Sequence, residues 1–448
     1  MRLNRRPLNT LRTHEGAATV PQTGIQALRR AVSSCLLWEN EFYEDGVSIA
    51  DRIQRLAAGV PVADVAALAV EARTVMNLRH VALWLTLAVV NRRQGAAFDT
   101  ASLIDAVCRR ADEPGELLAM YWSQEAKRDP KRSADAKRMS IPAAMKRGLA
   151  RAMRRLDAYQ LAKYDRPTDV RLKDILRLVH PKPANDDQAK AFGGLLDGSL
   201  ASADTWEVAL SAGGDAKEHF ERLLRENRLG YMALLRNLRR MDQAGVDAEL
   251  IRSAILERRG ARSVLPFRYV AAARAAPRFE PWLDEALCRA VDELPVLAGE
   301  TVALVDVSGS MNERLSGKSD MTRRDAASTL ASVINGRVRV LTFSEKVLEV
   351  PARRGMAGVD AIARSQQHLG TYLGKAVEYA NRLPHDRLIV VTDEQSHDVV
   401  GRSAAKYAYM INVASSDRAI GHGDWTRISG FSENVLNYIG EYERNDGT

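Results

Sequence analysis

The chain is 448 residues and 49.5 kDa, with 65 Lys plus Arg against 57 Asp plus Glu, a net charge of +8. Hydrophobic residues at 46% and charged residues at 27% exclude wholesale disorder and suffice for two or three cored domains at this length. The three cysteines (Cys35, Cys108, Cys288) are far apart and lack CxxC spacing, so they support neither a disulfide framework nor a zinc finger and read as buried apolar residues.

The first twenty residues form a basic segment, MRLNRRPLNTLR and onward, with no apolar stretch behind the arginines. The longest apolar run, Val81 to Val90, is about half of a membrane span, so the expectation is a soluble cytoplasmic protein that meets no membrane. From Gln22 to Leu294 the pattern is helical nearly throughout. Ile25, Leu28, Val32 and Leu36 recur at helical spacing, and similar stripes run through VADVAALAVEARTVMN, RHVALWLTLAVVN, AAMKRGLARAMRRL, LKDILRLVH, GYMALLRNLRRM and AELIRSAILE. Breaks are short, at Gly59–Pro61, Pro114–Gly115, Pro181–Pro183, Gly213–Gly214 and Gly260. Helices of about three turns with tight connections predict stacked antiparallel pairs of the α-solenoid type. No fixed-period repeat accompanies them, so a globular all-α domain stays open.

Charge is unevenly placed. Before about Ala290 there are 47 basic and 36 acidic residues, a balance of +11; after it there are 18 and 21, a balance of −3. The densest window, Lys127 to Lys182, holds 17 basic residues against six Asp and no Glu. A solvated helix face accounts for one such helix; the whole window points to a polyanion, because clustered basic groups gain affinity for phosphates by releasing counterions.

After Pro295 the pattern changes to strands alternating with helices. Predicted strands are TVALVDVS, Val338–Phe343, Lys346–Glu349, RLIVVTD and Tyr407–Val413; predicted helices are TRRDAASTLASVINGR, Thr371–Leu383 and Ser432–Tyr442. Strands apolar along their whole length predict a mainly parallel, doubly wound α/β sheet covered on both faces, with its functional loops at the C-terminal strand ends. The domain organisation read from these patterns is a basic segment at 1–21, a helical domain at 22–294 and an α/β domain at 295–448.

Three of those strand-end loops carry oxygen ligands. Asp306-Val-Ser308-Gly-Ser310 is a DxSxS turn after the first strand, Gly370-Thr371 opens a helix, and Asp393 ends LIVVT. Hydroxyl and carboxylate oxygens without His or Cys suit a hard cation, and a modest ligand count with room for waters favours Mg²⁺ over Ca²⁺. The bland alternative is a sheet whose Asp and Ser merely cap helices. Adjacent His397 and Asp398 read as loop or cap residues, not as a catalytic pair, and no P-loop, HxxxH motif or activated nucleophile is present, so no catalytic residue is assigned.

From Leu297 to Tyr442 this pattern resembles the von Willebrand factor A domain with its metal-ion-dependent adhesion site. The resemblance implies that Ser308, Ser310 and Thr371 coordinate the cation, that Asp306 and Asp393 hold it largely through water, and that a ligand carboxylate completes the shell. A basic helical front joined to such a domain resembles in turn the TROVE-module family, the Ro autoantigen and its bacterial orthologues. KRGLARAMRRLDAYQLAKY, LKDILRLVHPKP, GYMALLRNLRRM and VLPFRYVAAAR are similar to that family's segments in the same order. The resemblance implies a HEAT-like helical-repeat ring followed by the Rossmann-like A domain. It also implies a non-enzymatic RNA-binding protein of RNA quality control, with a small structured Y-like RNA on its outer surface and single-stranded 3′ ends of misfolded or immature RNA in the central hole.

By the same resemblance Lys163 and His180 match positions that contact Y RNA. A further basic position of the family falls on Pro167, with Arg166 one residue earlier, and this departure leaves that contact open. Arg147, Arg151, Lys173, Arg177 and Lys182 complete the outer basic set. Arg236, Asn237 and Arg268 are candidates for the wall of the hole, with helix-surface salt bridges or caps as the equal alternative. The expected state is a monomer, and a 3′-to-5′ exoribonuclease is a partner by resemblance alone. The competing reading is a metal-dependent protein-interaction scaffold, separable by salt against chelator sensitivity; a chelatase-like or nuclease subunit is a third, weaker one.

Overall fold

The computed structural model describes residues 24–33, 46–76, 78–92, 98–128, 140–206, 208, 214–315, 321–414, 420, 425–429 and 434–446. Lys131, Arg132, Lys137 and Arg138 of the basic window, the 1–21 segment and Gly213 lie outside these residues. Two compact units emerge, one spanning 50–219 and the other combining 1–49 with 220–448.

The 50–219 unit is all helical among the described residues. It runs through α2 (Gly46–Ala58), α3 (Val62–Thr74), α4 (His80–Asn91), α5 (Thr100–Val107), α6 (Glu113–Arg128), α7 (Ala143–Met153), α8 (Ala158–Tyr164), α9 (Leu172–Val179) and α10 (Asp186–Asp197). Several helices pack on the one two places along, α3 on α5, α4 on α6, α5 on α7 and α7 on α9, which is how stacked helix pairs propagate a core. The apolar run at 81–90 supplies buried residues of α4. No helix among the described residues is long and apolar enough to cross a membrane. Gly148 lets α7 approach α5 closely: a Cβ there would stand 2.7 Å from Ile104 Cβ and 2.9 Å from the Ala101 carbonyl oxygen. Pro114 and Gly115, read from sequence as a break, fall in the first turn of α6, where proline's missing N–H costs nothing. The buried Glu113 beside them takes Arg73 at 3.0 Å and the backbone N–H groups of Arg109 and Arg110 at 2.6 and 2.8 Å, closing the turn between α5 and α6.

The second unit holds α1 (Gly24–Ser33), the helices α11 (Ala216–Arg225, which begins just before the division), α12 (Tyr231–Gln243), α13 (Ala248–Glu257), α14 (Phe267–Ala275) and α15 (Glu280–Asp292), and the α/β part. Here too packing runs two places along, α12 on α14 and α13 on α15.

Helices give way to strands at β1 (Val296–Asp306), followed by α16 (Arg323–Ser332), β2 (Asn335–Phe343), β3 (Val347–Val350), α17 (Gly355–Ala363), α18 (Leu373–Ala380), β4 (Arg387–Thr392), β5 (Tyr407–Asn412), β6 (Thr426–Ser429) and α19 (Asn434–Asp446). The sheet order is β3-β2-β1-β4-β5-β6, parallel except for β3, whose pairing with β2 is antiparallel. Every residue of β4 is buried, as a central strand covered on both faces requires. Strand order reverses between β1 and β4, so the loops leaving those strands open a crevice at the switch point. Sequence reading anticipated the other strands and missed β6 and α17.

Within this unit the helices and the sheet are bolted together. Arg274 of α14 reaches Asp325 and Asp360 at 3.3 and 3.2 Å, and Asp284 of α15 caps α17 by accepting the Met356 N–H at 2.8 Å. Gly355 is required there: its φ is +64°, and a Cβ would meet Asp284 Oδ1 at 2.2 Å. At the far end of the sheet Arg387, 2% exposed, donates to Glu443 of α19 at 2.6 Å, to the Thr301 hydroxyl at 2.7 Å and to the Ala298 carbonyl at 3.0 Å.

Candidate functional site

The switch-point crevice brings the predicted oxygen ligands together. Asp306 ends β1, and its Oδ1 accepts the Ser308 N–H at 2.9 Å, the two-residue return that Asp favours in tight turns. The Ser308 and Ser310 hydroxyl oxygens lie 3.3 Å apart. Asp393 immediately follows β4, and its Oδ1 accepts the Gln395 N–H at 3.1 Å. The third loop is laced to both others, since Gly309 N–H donates to the Leu369 carbonyl at 2.9 Å and His397 N–H donates to the Thr371 carbonyl at 2.9 Å. Thr371, Asp306, Ser308 and Asp393 are buried, while Ser310 is half-buried.

Two buried carboxylates in one crevice repel. Burial, helped by the charge of Asp393, pushes the Asp306 carboxyl up to about 7, although hydrogen bonds from Ser308 and Thr392 pull the other way. Burial raises Asp393 as well, against the pull of Arg323. A cation held between them relieves both penalties. The donor set is oxygen only and the carboxylates are otherwise costly, so these residues fit a hard divalent ion by the chemistry of their own side chains.

Two participants escaped the sequence reading. Thr392, the last residue of β4, donates its hydroxyl to Asp306 Oδ2 at 2.7 Å and so ties the two strand ends; its place directly before Asp393 was the available signal. Arg323, 2% exposed, lies with Nη1 3.5 Å from Asp393 Oδ2; being 70 residues from its partner, it offered no local signal. His397 and Asp398 serve as supports. The His397 ring stacks on Tyr372 with centroids 5.3 Å apart, and Asp398 caps α18 by accepting the Gly374 and Lys375 N–H groups at 2.8 and 2.9 Å.

The basic window lies in the other unit. Residues 140–182 carry eleven Lys or Arg against four Asp. Lys146, Arg147, Arg151, Arg154, Arg155, Arg166, Arg171, Arg177 and Lys182 are exposed, and Lys163 and Lys173 half-buried. Of the eleven, Arg155 pairs with Asp105 at 2.9 Å and Arg151 with Asp99 at 4.0 Å; the other nine make no ion pair among the described residues. Lys163 lies over the rings of Tyr159 and Tyr164, 5.8 and 5.9 Å from their centroids, which steadies its ammonium group without neutralising it. His180 is the left-handed C-cap of α9 with φ +46°, its N–H donated to the Leu176 carbonyl at 3.0 Å and its side chain exposed.

The residues read as a cavity wall fare differently. Arg236 and Arg268 are exposed, whereas Asn237 is 5% exposed and its amide donates to the Ala233 carbonyl at 2.8 Å. Asn237 is thus spent inside the helix packing, because it falls on the same apolar stripe as Leu234 and Met241.

The architecture is that of helices followed by a doubly wound α/β domain with an oxygen-rich loop cluster at its switch point. The TROVE domain family matches residues 198–265. A comparison with curated protein sequences gives no match. Among solved structures, the crystal structure of Deinococcus radiodurans RO (RSR) protein is similar with a TM-score of 0.59 at 16% identity, covering 93% of this chain and 100% of that one. The resemblance drawn from the sequence is thereby supported in two respects: residues 198–265 match the TROVE domain family, and the fold is that of the Deinococcus radiodurans protein.

Proposed function

We propose that the chain is a bacterial Ro orthologue, a non-enzymatic RNA-binding protein that holds a small structured Y-like RNA on the basic face of α7, α8 and α9. The observation that carries this reading is charge left without a partner: nine basic residues between 146 and 182 have no ion pair among the described residues, whereas Arg73, Arg258 and Arg354 are paired. Uncompensated, mostly exposed charge of one sign is what a phosphate backbone neutralises, and a folded RNA is then recognised by shape and backbone register. Lys163, Arg166, Lys173, Arg177, His180, Lys182 and Arg147 are the proposed contacts, with Arg151 at the edge of the set. The proposal extends to single-stranded 3′ ends as a second ligand, with Arg236 as a candidate contact, and to RNA quality control in the cytoplasm by a monomer working beside a 3′-to-5′ exoribonuclease.

The A-type domain is proposed to take Mg²⁺ on Ser308, Ser310 and Thr371, with Asp306 and Asp393 behind them. When bound, that cation supplies a point of attachment for a carboxylate of a partner. Asp306 and Asp393 supply the negative charge that retains it, and Thr392 and Ser308 hold Asp306 in place.

The test is the salt dependence of affinity for a structured small RNA. Six or more phosphate contacts cost about a thousandfold in affinity between 50 and 200 mM salt. Each Lys or Arg replaced by Ala in the set lowers the slope of log affinity against log salt by about one. A slope untouched by the quadruple replacement of Arg147, Lys163, Arg177 and Lys182 removes this face from the account.

A further inference from the structure

Arg323 is a charge that the cation-site reading leaves unused. It is the first residue of α16, 2% exposed, and its Nη1 stands 3.5 Å from Asp393 Oδ2, long for a hydrogen bond but close for an ion pair. The backbone delivers it there by construction. Glu313 accepts the Arg323 N–H at 2.9 Å, Arg314 bridges Thr322, and Leu315 N–H donates to Met321 at 2.9 Å, so the chain leaving the serine turn doubles back to the crevice. A capping box between Thr322 and Asp325 then fixes the start of the helix. A guanidinium keeps its proton at any pH at which a protein stays folded. With both carboxylates ionised, as when a divalent ion is bound, Asp306, Asp393 and Arg323 together therefore carry a formal charge of minus one instead of minus two.

We propose that Arg323 is the resident counter-cation of this site: it offsets Asp393 when no divalent ion is bound, and it weakens the site for a free divalent ion. This rests on the cation-site reading. The buried guanidinium competes for the same carboxylate that retains the ion, so the site is tuned to hold its cation firmly only when an acidic partner adds negative charge. Arg323 is a positioning residue under this proposal, acting through Asp393.

The experiment is Mn²⁺ binding to the full chain by calorimetry and by the electron paramagnetic resonance of the free ion, for wild type, Arg323→Met, Arg323→Lys and Asp306→Asn. Removing a whole charge at ion-pair distance, even at an effective dielectric constant of 20, predicts Mn²⁺ affinity at least about tenfold tighter in Arg323→Met. Arg323→Lys keeps the charge and is expected within about threefold of wild type. A folded Arg323→Met with wild-type affinity overturns the proposal. If that variant folds only with Mn²⁺ present, the counter-cation role is supported directly. If it does not fold at all, Arg323→Lys decides: affinity near wild type supports the proposal, and a tenfold change despite the retained charge overturns it. If wild type binds no Mn²⁺ that Asp306→Asn loses, the cation-site reading itself has failed, and the proposal falls with it by a separate and recognisable result.

Discussion

Replacing Asp306 by Asn is predicted to stabilise the metal-free protein at alkaline pH, the opposite of the usual result for a buried polar residue. The Asp306 carboxyl stands at about 7 against its ordinary 3.8. A rise of about three pH units corresponds to about 4 kcal/mol at 1.4 kcal/mol per unit, an upper limit for a carboxylate interacting with a second one. The folded chain binds this proton more tightly than the unfolded chain. Metal-free stability therefore falls as pH rises from about 4 to about 7, and the full cost is present above 7. Asparagine carries no such cost and keeps the local geometry, since its carbonyl can accept from Ser308 N–H while the Thr392 hydroxyl turns to accept from the amide. In excess EDTA, hydrogen exchange at the amides of β1 and β4 is expected to show more protection in Asp306→Asn than in wild type at pH 8, by up to about 4 kcal/mol. The gain shrinks toward zero at pH 5. Added Mg²⁺ is expected to raise protection in wild type and leave the variant unchanged. Equal or lower protection in the metal-free variant at pH 8 would refute the electrostatic reasoning.

Other consequences are open to direct measurement. Lys163→Ala with His180→Ala is expected to weaken binding of a structured small RNA by at least about tenfold at 150 mM salt while circular dichroism stays at wild type, because His180 is exposed and Lys163 is only half-buried; unchanged binding would move the RNA to another surface. Glu443→Ala leaves the buried Arg387 without its carboxylate and is expected to cost about 3–5 kcal/mol in the α/β part, read as early loss of protection in β4 and β5. Glu443→Gln is expected to recover only part of that loss. Gly148→Val forces a side chain into Ile104 and the Ala101 carbonyl and is expected to destabilise the α5–α7 packing by about 1–3 kcal/mol, where Gly148→Ala is milder; a neutral Gly148→Val would mean that these helices separate freely.

The fold was largely legible because its elements announce themselves over short distances. Apolar runs ending in Asp306 and Asp393 marked two adjacent strand ends, and the alternation of strand and helix fixed their order at a switch point, which is why five site residues could be named together. What stayed hidden depends on long-range contact or on weak local pattern. GMAGVDAIA holds two glycines and reads as loop, yet Asp284 caps it into a helix. TRIS is too short to show alternation and becomes a strand only by pairing with β5. Arg323 looks like an ordinary charge on an amphipathic helix until the fold carries it beneath Asp393. Asn237 was legible in principle, because a polar residue three places after Leu234 and four before Met241 belongs to the buried stripe. Which arginines are paired could not be read at all, since Arg155 meets Asp105 across 50 residues.

The central claim is that the basic face between residues 146 and 182 holds RNA. The most direct measurement is to purify the full chain and a variant with Arg147, Lys163, Arg177 and Lys182 changed to Glu from the native host, then extract and sequence the nucleic acid that accompanies each. The account predicts one dominant small structured RNA, near equimolar with the wild-type chain, released by high salt, and missing from the variant. A wild-type chain free of nucleic acid, or a variant that carries the same RNA in the same amount, would contradict it.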